Sequence, residues 1–260
     1  MSHTTGKLTG RIAIVTGASR RAGIGAAVCK ELAFQGADVF FTHWDNYDQQ
    51  MPWGSNQVES EQLQEEIRSM GVRCEHLKLD LSLSENMVEL LNRVNQRLGE
   101  PSILVNNACY SVNDDLTTIT SASLDAHYAI NVRAVVLLSV EFAKRFSKQF
   151  GGRIINMTSG QSLGPMVGEI SYATTKGAVD SFTRTFAAEV GSKGITVNAV
   201  NPGPTDTGWM TDELRLQLSN QFLSGRVGLP KDAARLVAFL ASDDAEWITG
   251  QVLHSTGGFN

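Results

Sequence analysis

RIAIVTGASRRAGIG, residues 11–25, runs a short apolar stretch into a glycine-rich turn, and an apolar helical pattern follows from Ile24 to Gln35. Strand, turn and helix in that order are the setting a nucleotide-binding glycine motif requires. Glycines let the backbone approach a pyrophosphate closely, and the helix N-terminus sets partial positive charge against it. Outward from this unit, β-rich runs at Arg11–Thr16, Asp38–Thr42, Arg73–Leu79, Ile103–Val105, Arg153–Met157, Ile195–Val200 and Val252–His254 are mostly apolar on both faces. They alternate with helical patterns near Ile24–Gln35, Gln57–Met70, Ser84–Leu98, Ser121–Phe146, Ile170–Val190 and Lys231–Ala241. Strands of this kind belong to a parallel sheet covered by helices on both faces. The pattern predicts an α/β fold, a Rossmann-like doubly wound parallel sheet.

A chain of 260 residues can bury a large core. No stretch reads as a linker, so residues 1–260 are expected to form one domain that binds the dinucleotide and carries the reaction. Acidic residues outnumber basic ones 27 to 22, without a run of Lys and Arg. That balance argues against a nucleic-acid or anionic membrane surface and for a small-molecule partner. The first apolar run, Ile12 to Val15, is too short for a signal-peptide core, and the one around Ala134 to Val140 falls far below the ~20 residues that span a bilayer. A soluble, cytoplasmic protein is expected. Three cysteines, Cys29, Cys74 and Cys109, show no CxxC spacing and the five histidines no HExxH, so reduced thiols and no catalytic metal are expected. HWDNYDQQMPWGSNQ, residues 43–57, reads as a long loop after the second strand. Its aromatics either pack locally or serve the adenosine end of a cofactor.

In SYATTKGAVDSF, residues 171–182, Tyr172 and Lys176 stand four apart, with Ser159 thirteen residues before the tyrosine. On a helix such a pair shares one face, roughly 5–6 Å apart at Cβ. A free phenol titrates near ~10, and a neighbouring cation favours the phenolate, so the pair makes a general acid. A serine hydroxyl held nearby can orient a carbonyl oxygen by hydrogen bonding. The chemistry implied is interconversion of a carbonyl and an alcohol.

From about Leu8 to Gly258 the chain resembles the short-chain dehydrogenase/reductase family. The elements that carry the resemblance are Gly17, Gly23 and Gly25; Asp80; Asn106-Asn107-Ala108-Cys109; Asn131; Ser159; Tyr172 and Lys176; Pro202-Gly203; and Thr249-Gly250 with Gly257-Gly258. The resemblance implies that Tyr172 is the acid of the reductive direction and that Lys176 lowers its pKa while bonding the nicotinamide ribose. Ser159 then positions the carbonyl oxygen, and Asn131 shapes its helix to hold a water linking Lys176 to solvent. Cofactor contacts are expected from Gly17, Ser19, Arg20, Arg21, Gly23, Ile24, Gly25 and His43, from Asp80, Leu81, Asn107 and Ala108, from Tyr172 and Lys176, and from Pro202, Gly203, Thr205 and Thr207. Asp80 also precedes a helix for which Ser82 and Glu85 predict a capping box.

Two departures stand out. The glycine loop is two residues longer than the family's usual spacing, as in the enoyl-acyl-carrier-protein reductases of the same superfamily; those separate Tyr and Lys by six residues, so YxxxK favours carbonyl chemistry. Cys109 replaces the usual glycine after Asn-Asn-Ala and is expected to be an inert buried thiol. A non-catalytic nucleotide-sensing protein on this fold would be expected to lose the tyrosine or the lysine, and both are kept. NADPH is expected over NADH: alignment of Gly36-Ala37-Asp38-Val39 places His43 where NAD-selective relatives end the second strand with a carboxylate, and Arg20 and Arg21 lie near the 2′-phosphate. Asp45 argues the other way. The resemblance extends to 3-oxoacyl-acyl-carrier-protein reductases; Lys144, Lys148 and Lys193 are candidate carrier contacts, though paired arginines are missing. Met210, Leu214 and Leu218, in residues 208–223, form an i+4 stripe that covers either a substrate cleft or a core. A homotetramer is expected, paired through the helices near 121–146 and 170–190.

Overall fold

The computed structural model describes residues 6–51, 53–56 and 58–259. Its strands are β1 (Ile12–Val15), β2 (Asp38–His43), β3 (Cys74–Lys78), β4 (Ile103–Asn106), β5 (Gly152–Met157), β6 (Ile195–Asn201) and β7 (Val252–His254). They form one parallel seven-stranded sheet in the order β3-β2-β1-β4-β5-β6-β7. Successive side chains of a strand point to opposite faces, and the apolar-both-faces pattern therefore supplies two cores. Ala13, Val15, Val39, Phe41, Ile103 and Val105 enter one; Ile14, Phe40, Leu104 and Ile154 enter the other. The first is closed by α1 (Ile24–Phe34), α3 (Glu59–Arg68) and α9 (Pro230–Ala241), the second by α4 (Asn86–Arg97), α6 (Val135–Arg145) and α7 (Ile170–Val190). The chain reverses its winding between β1 and β4, and the crevice at their C-terminal ends is where such sheets bind ligands.

The structure corrects several expectations. The 43–57 stretch is not wholly a loop: α2 (Asp45–Gln49) forms inside it. Pro52 and Gln57, the latter expected to open the third helix, lie outside the described residues. The helix expected over 121–146 is α5 (Ser121–Tyr128), a π-helical segment (Ala129–Ala134) and α6. Together Ser121–Arg145 is 25 residues long and apolar enough to cross a membrane by length and composition, beyond what residues 134–140 suggested, but half of its apolar window is buried in the protein, as in a core helix. The Ser82–Glu85 capping box does not form: α4 starts at Asn86 without a side-chain cap, and the Ser82 N–H goes instead to Asp80 Oδ1 at 2.8 Å. The stripe in residues 208–223 falls on α8 (Asp212–Ser219) and its flanks, and resolves to packing. Met210, Phe222 and Val227 bury themselves with Leu214, Leu218 and Phe259 in a small satellite core, and none of the six lines the cleft.

Candidate active site

The cleft at the C-terminal edge of the sheet begins at the glycine loop. Gly17 has φ 73°, and a Cβ there would lie 2.5 Å from Ala108 Cα; one on Gly25 would lie 2.5 Å from the Gly17 carbonyl oxygen. Any side chain at either position would displace backbone, so the loop packs against the end of β4 only as glycine. Asn107 locks that junction, donating from Nδ2 to the carbonyls of Thr16 (2.9 Å) and Gly17 (2.8 Å), while Thr16 Oγ1 accepts the N–H groups of Asn107 and Ala108 at 3.0 Å each. The first turn of α1 opens into this cradle with no side-chain cap at Gly23 and no acidic residue. Its free amide donors and positive dipole end fit a pyrophosphate.

Of the expected cofactor contacts, Gly17, Ser19, Arg20, Gly23, Ile24 and Gly25 line the cleft, as do His43, Asp80, Leu81, Asn107 and Ala108, and further along Pro202 and Thr207. Arg20 spans it, donating to Thr207 Oγ1 at 3.1 Å, with its guanidinium 4.5 Å above the Trp53 ring. Arg21 is turned out: it pairs with Glu66 of α3 at 2.9 Å and bonds Gln62 at 3.2 Å. Thr205 is buried and its hydroxyl donates into its own loop, to Pro202 and Gly203 carbonyls; Gly203 donates its N–H to Asn201 Oδ1. Neither Thr205, Gly203 nor Arg21 lines the cleft. His43, at the end of β2, is tied to His76 (3.2 Å) and Asp45 (3.3 Å), and Asp45 is held by Lys78 at 2.7 Å.

At the other end stand Tyr172 and Lys176, both lining the cleft, one turn apart on α7. Lys176 is buried; its Nζ donates to the Met157 carbonyl at 2.8 Å and sits 5.5 Å from the Tyr172 ring centroid. Ser159, just past β5, lies beside the Tyr172 phenol. Burial pushes that phenol's pKa up, the Cys109 thiol adds to the rise, and the Ser159 hydroxyl opposes it. The net shift is upward, against the lowering expected from Lys176, and Tyr172 is held protonated. Cys109 is not the buried thiol expected: it is half-buried and lines the cleft.

Asn131 is buried in the π-helical segment, where its side chain accepts the Tyr110 N–H (2.9 Å) and donates to the Tyr110 carbonyl (2.9 Å) and Thr175 Oγ1 (3.1 Å). π-Helical turns inside α-helices concentrate at functional sites; here one turns an amide inward to brace both the turn after β4 and α7. Sequence reasoning missed Asp114. Buried, it accepts the Ser171 N–H at 2.9 Å and the Ser123 hydroxyl at 3.2 Å, so it anchors α7 one residue before Tyr172. A lone Asp in a polar loop gives no such signal.

A family model described as enoyl-(acyl carrier protein) reductase matches residues 17–260. The chain is 53% identical to the uncharacterized oxidoreductase YjdA of Bacillus subtilis over all of this chain and 99% of that protein. It is 37% identical to the 3-oxoacyl-[acyl-carrier-protein] reductase FabG of Pseudomonas aeruginosa, over 96% of this chain and 98% of the relative. The chain belongs to the short-chain dehydrogenase/reductase family. It is accordingly an NAD(P)-dependent oxidoreductase. Among solved structures it resembles a short-chain dehydrogenase from Burkholderia cenocepacia in complex with NADP, with TM-score 0.87 and 32% identity over 98% of this chain and 99% of that one. A short-chain dehydrogenase/reductase from Serratia marcescens gives TM-score 0.87 and 33% identity over 97% and 99% of the two chains. Family membership accounts for the order of glycine loop, Asn131, Ser159, Tyr172 and Lys176 along the chain; the glycine loop, Tyr172 and Lys176 line the cleft, whereas Asn131 and Ser159 do not.

Proposed function

We propose that this family member is an NADP(H)-dependent oxidoreductase that interconverts a carbonyl and a secondary alcohol. One observation carries the reading: Tyr172, a phenol kept protonated by burial, lines the cleft that starts at the glycine cradle, with Ser159 beside it and Lys176 one helical turn away. Ser159 orients the carbonyl oxygen, and Tyr172 donates its proton to that oxygen. Reduced nicotinamide, when bound, supplies the hydride for the carbonyl carbon. Lys176 holds the nicotinamide ribose and, through the polar groups braced by Asn131, returns a proton to Tyr172. The glycine loop and the α1 N-terminus hold the pyrophosphate, with Asp80 and Leu81 near the adenine.

Several features support NADPH over NADH. No free carboxylate ends β2: Asp45 is engaged by Lys78 and His43 and does not line the cleft, whereas Arg20 does. The NADP complex of the Burkholderia relative points the same way. For the substrate, FabG relatives favour a 3-oxoacyl thioester, and Lys144, Lys148 and Lys193 are exposed for a carrier to meet. Leu124 and Tyr128 of α5 and Leu137 of α6 are exposed apolar residues that support a homotetramer or dimer.

A second reading, enoyl reduction, is motivated by the description of the matching family model. A panel of ketones, 3-oxoacyl thioesters and enoyl thioesters with NADPH and NADH, followed by loss of reduced-nicotinamide absorbance, separates the two. Turnover of ketones or 3-oxoacyl thioesters supports the proposal; turnover of enoyl thioesters alone overturns it.

A further inference from the structure

Tyr47 belongs to α2, on the strand-β2 side of the cleft, but its hydroxyl donates to the Ser111 carbonyl at 2.9 Å, in the turn after β4. Its ring lies 5.5 Å from that of Tyr110. That turn is held from three directions. Asn131 takes both backbone groups of Tyr110, His127 Nε2 accepts the Val112 N–H at 3.2 Å, and Tyr47 takes the carbonyl between them. His127, with no exposed surface, is fixed in turn by its Nδ1 donating to the Ser123 carbonyl at 2.8 Å. Two of these supports come from the α5 and π-helical stretch. Only Tyr47 reaches across from the far side.

The next residue, Asp48, points the other way. Its carboxylate accepts the Trp53 Nε1–H at 2.9 Å and faces Arg20 Nε at 3.6 Å. The two residues are neighbours on one short helix, so its backbone carries an anchor to each side. The cleft thereby has a strap: one residue on the arginine of the glycine loop, its neighbour on the turn that carries Cys109 and Tyr110 beside Tyr172. The Tyr47 phenol is close enough to Tyr172 that charge on one opposes charge on the other, and burial pushes Tyr47 itself up to about 12, so it remains a hydroxyl donor.

We propose that Tyr47 is a positioning residue for the carbonyl reaction, fixing the Cys109–Val112 turn through Ser111 and tying it to the Arg20–Asp48 pair at the phosphate end of the cleft. The inference rests on the carbonyl–alcohol reading above. Tyr47→Phe removes the hydroxyl and keeps the ring. An unpaired, partly buried carbonyl and a loosened turn lower kcat with NADPH about tenfold, with ketone KM and NADPH affinity, read from cofactor fluorescence, each within about twofold. Hydrogen exchange of a peptide covering residues 109–112, in the NADPH-bound protein, becomes faster by a similar factor. Asp48→Asn, which keeps an acceptor for Trp53 but removes the charge facing Arg20, produces the same acceleration in that peptide. A lowered Tm with unchanged kcat and unchanged exchange at 109–112 would overturn the proposal, since it is what a packing role predicts. If the wild type reduces no carbonyl compound, the functional reading fails, and the exchange measurement still decides whether Tyr47 fixes the turn.

Discussion

Lys176 Nζ donates to the carbonyl oxygen of Met157 at 2.8 Å, joining α7 to the last residue of β5. The buried ammonium finds its acceptor there. Replacing Lys176 by Met keeps the volume but strands the carbonyl and removes the charge beside Tyr172. Cofactor affinity and kcat should both fall, the latter by about tenfold or more. NADPH titration by fluorescence and steady-state kinetics on one preparation check this; normal values for both would contradict the role given to the lysine.

Asp114 supplies a stability prediction with a defined sign. Burial raises its pKa, but hydrogen bonds from Ser171 and Ser123 outweigh burial and hold the carboxyl below its usual value. A depressed carboxylate stabilises the fold above its unfolded pKa near ~3.9, and that contribution is lost as pH falls through the lower folded value. Asp114→Ala should therefore cost about 2 kcal/mol at neutral pH, with a correspondingly lower Tm, and the gap from wild type should close below about pH 4. A gap that stays constant down to pH 2 would show that the carboxylate's charge is not what matters.

Tyr172 sets the pH dependence of turnover. With the phenol's pKa raised by burial, the reductive kcat/KM should stay level through neutral pH, with its alkaline limb beyond the ordinary phenol range near ~10. The reverse reaction needs the deprotonated form and should speed up as pH rises. A reductive profile already falling at pH 7 would be inconsistent with this tyrosine as the donor.

Arg20, and not Arg21, is the arginine that faces the cleft. Arg20→Ala should weaken NADPH relative to NADH by about tenfold to a hundredfold, the range of charge-assisted bonds to phosphate. Arg21→Ala should change the ratio of kcat/KM for the two cofactors by less than about twofold. Equal effects of the two substitutions would contradict the orientation seen here.

The strands and the long helices were legible because their periods are strong: runs such as Ile12–Val15 and Ile103–Val105 are apolar on both faces, which only a doubly covered parallel strand needs. Helix α2 was not. DNYDQ has no apolar period, and its turn is held by tertiary bonds from Tyr47, Asp48 and the Trp44 N–H to Ser111, Trp53 and Ser19. The stripe of Leu214 and Leu218 showed that α8 must cover something, but its partner, Phe259, lies about forty residues later and is brought in by the fold alone. Arg20 and Arg21 are adjacent on one turn, and which faces the cleft depends on Glu66 of α3, a long-range contact invisible in the local pattern. The π-helical turn at Asn131 likewise has no breaker in its sequence; the inward amide becomes evident only with Tyr110 and Thr175 in place.

The central claim is that Tyr172 delivers the proton to a carbonyl oxygen, and Tyr172→Phe tests it most directly. The ring still packs and Lys176 keeps its bond to Met157, so folding and NADPH affinity should remain within about twofold of wild type. On the ketone or 3-oxoacyl thioester that the wild type turns over best, kcat should fall at least about a hundredfold, the scale of a lost general acid. A Tyr172→Phe protein that binds NADPH normally and retains more than about a tenth of wild-type kcat would contradict the account.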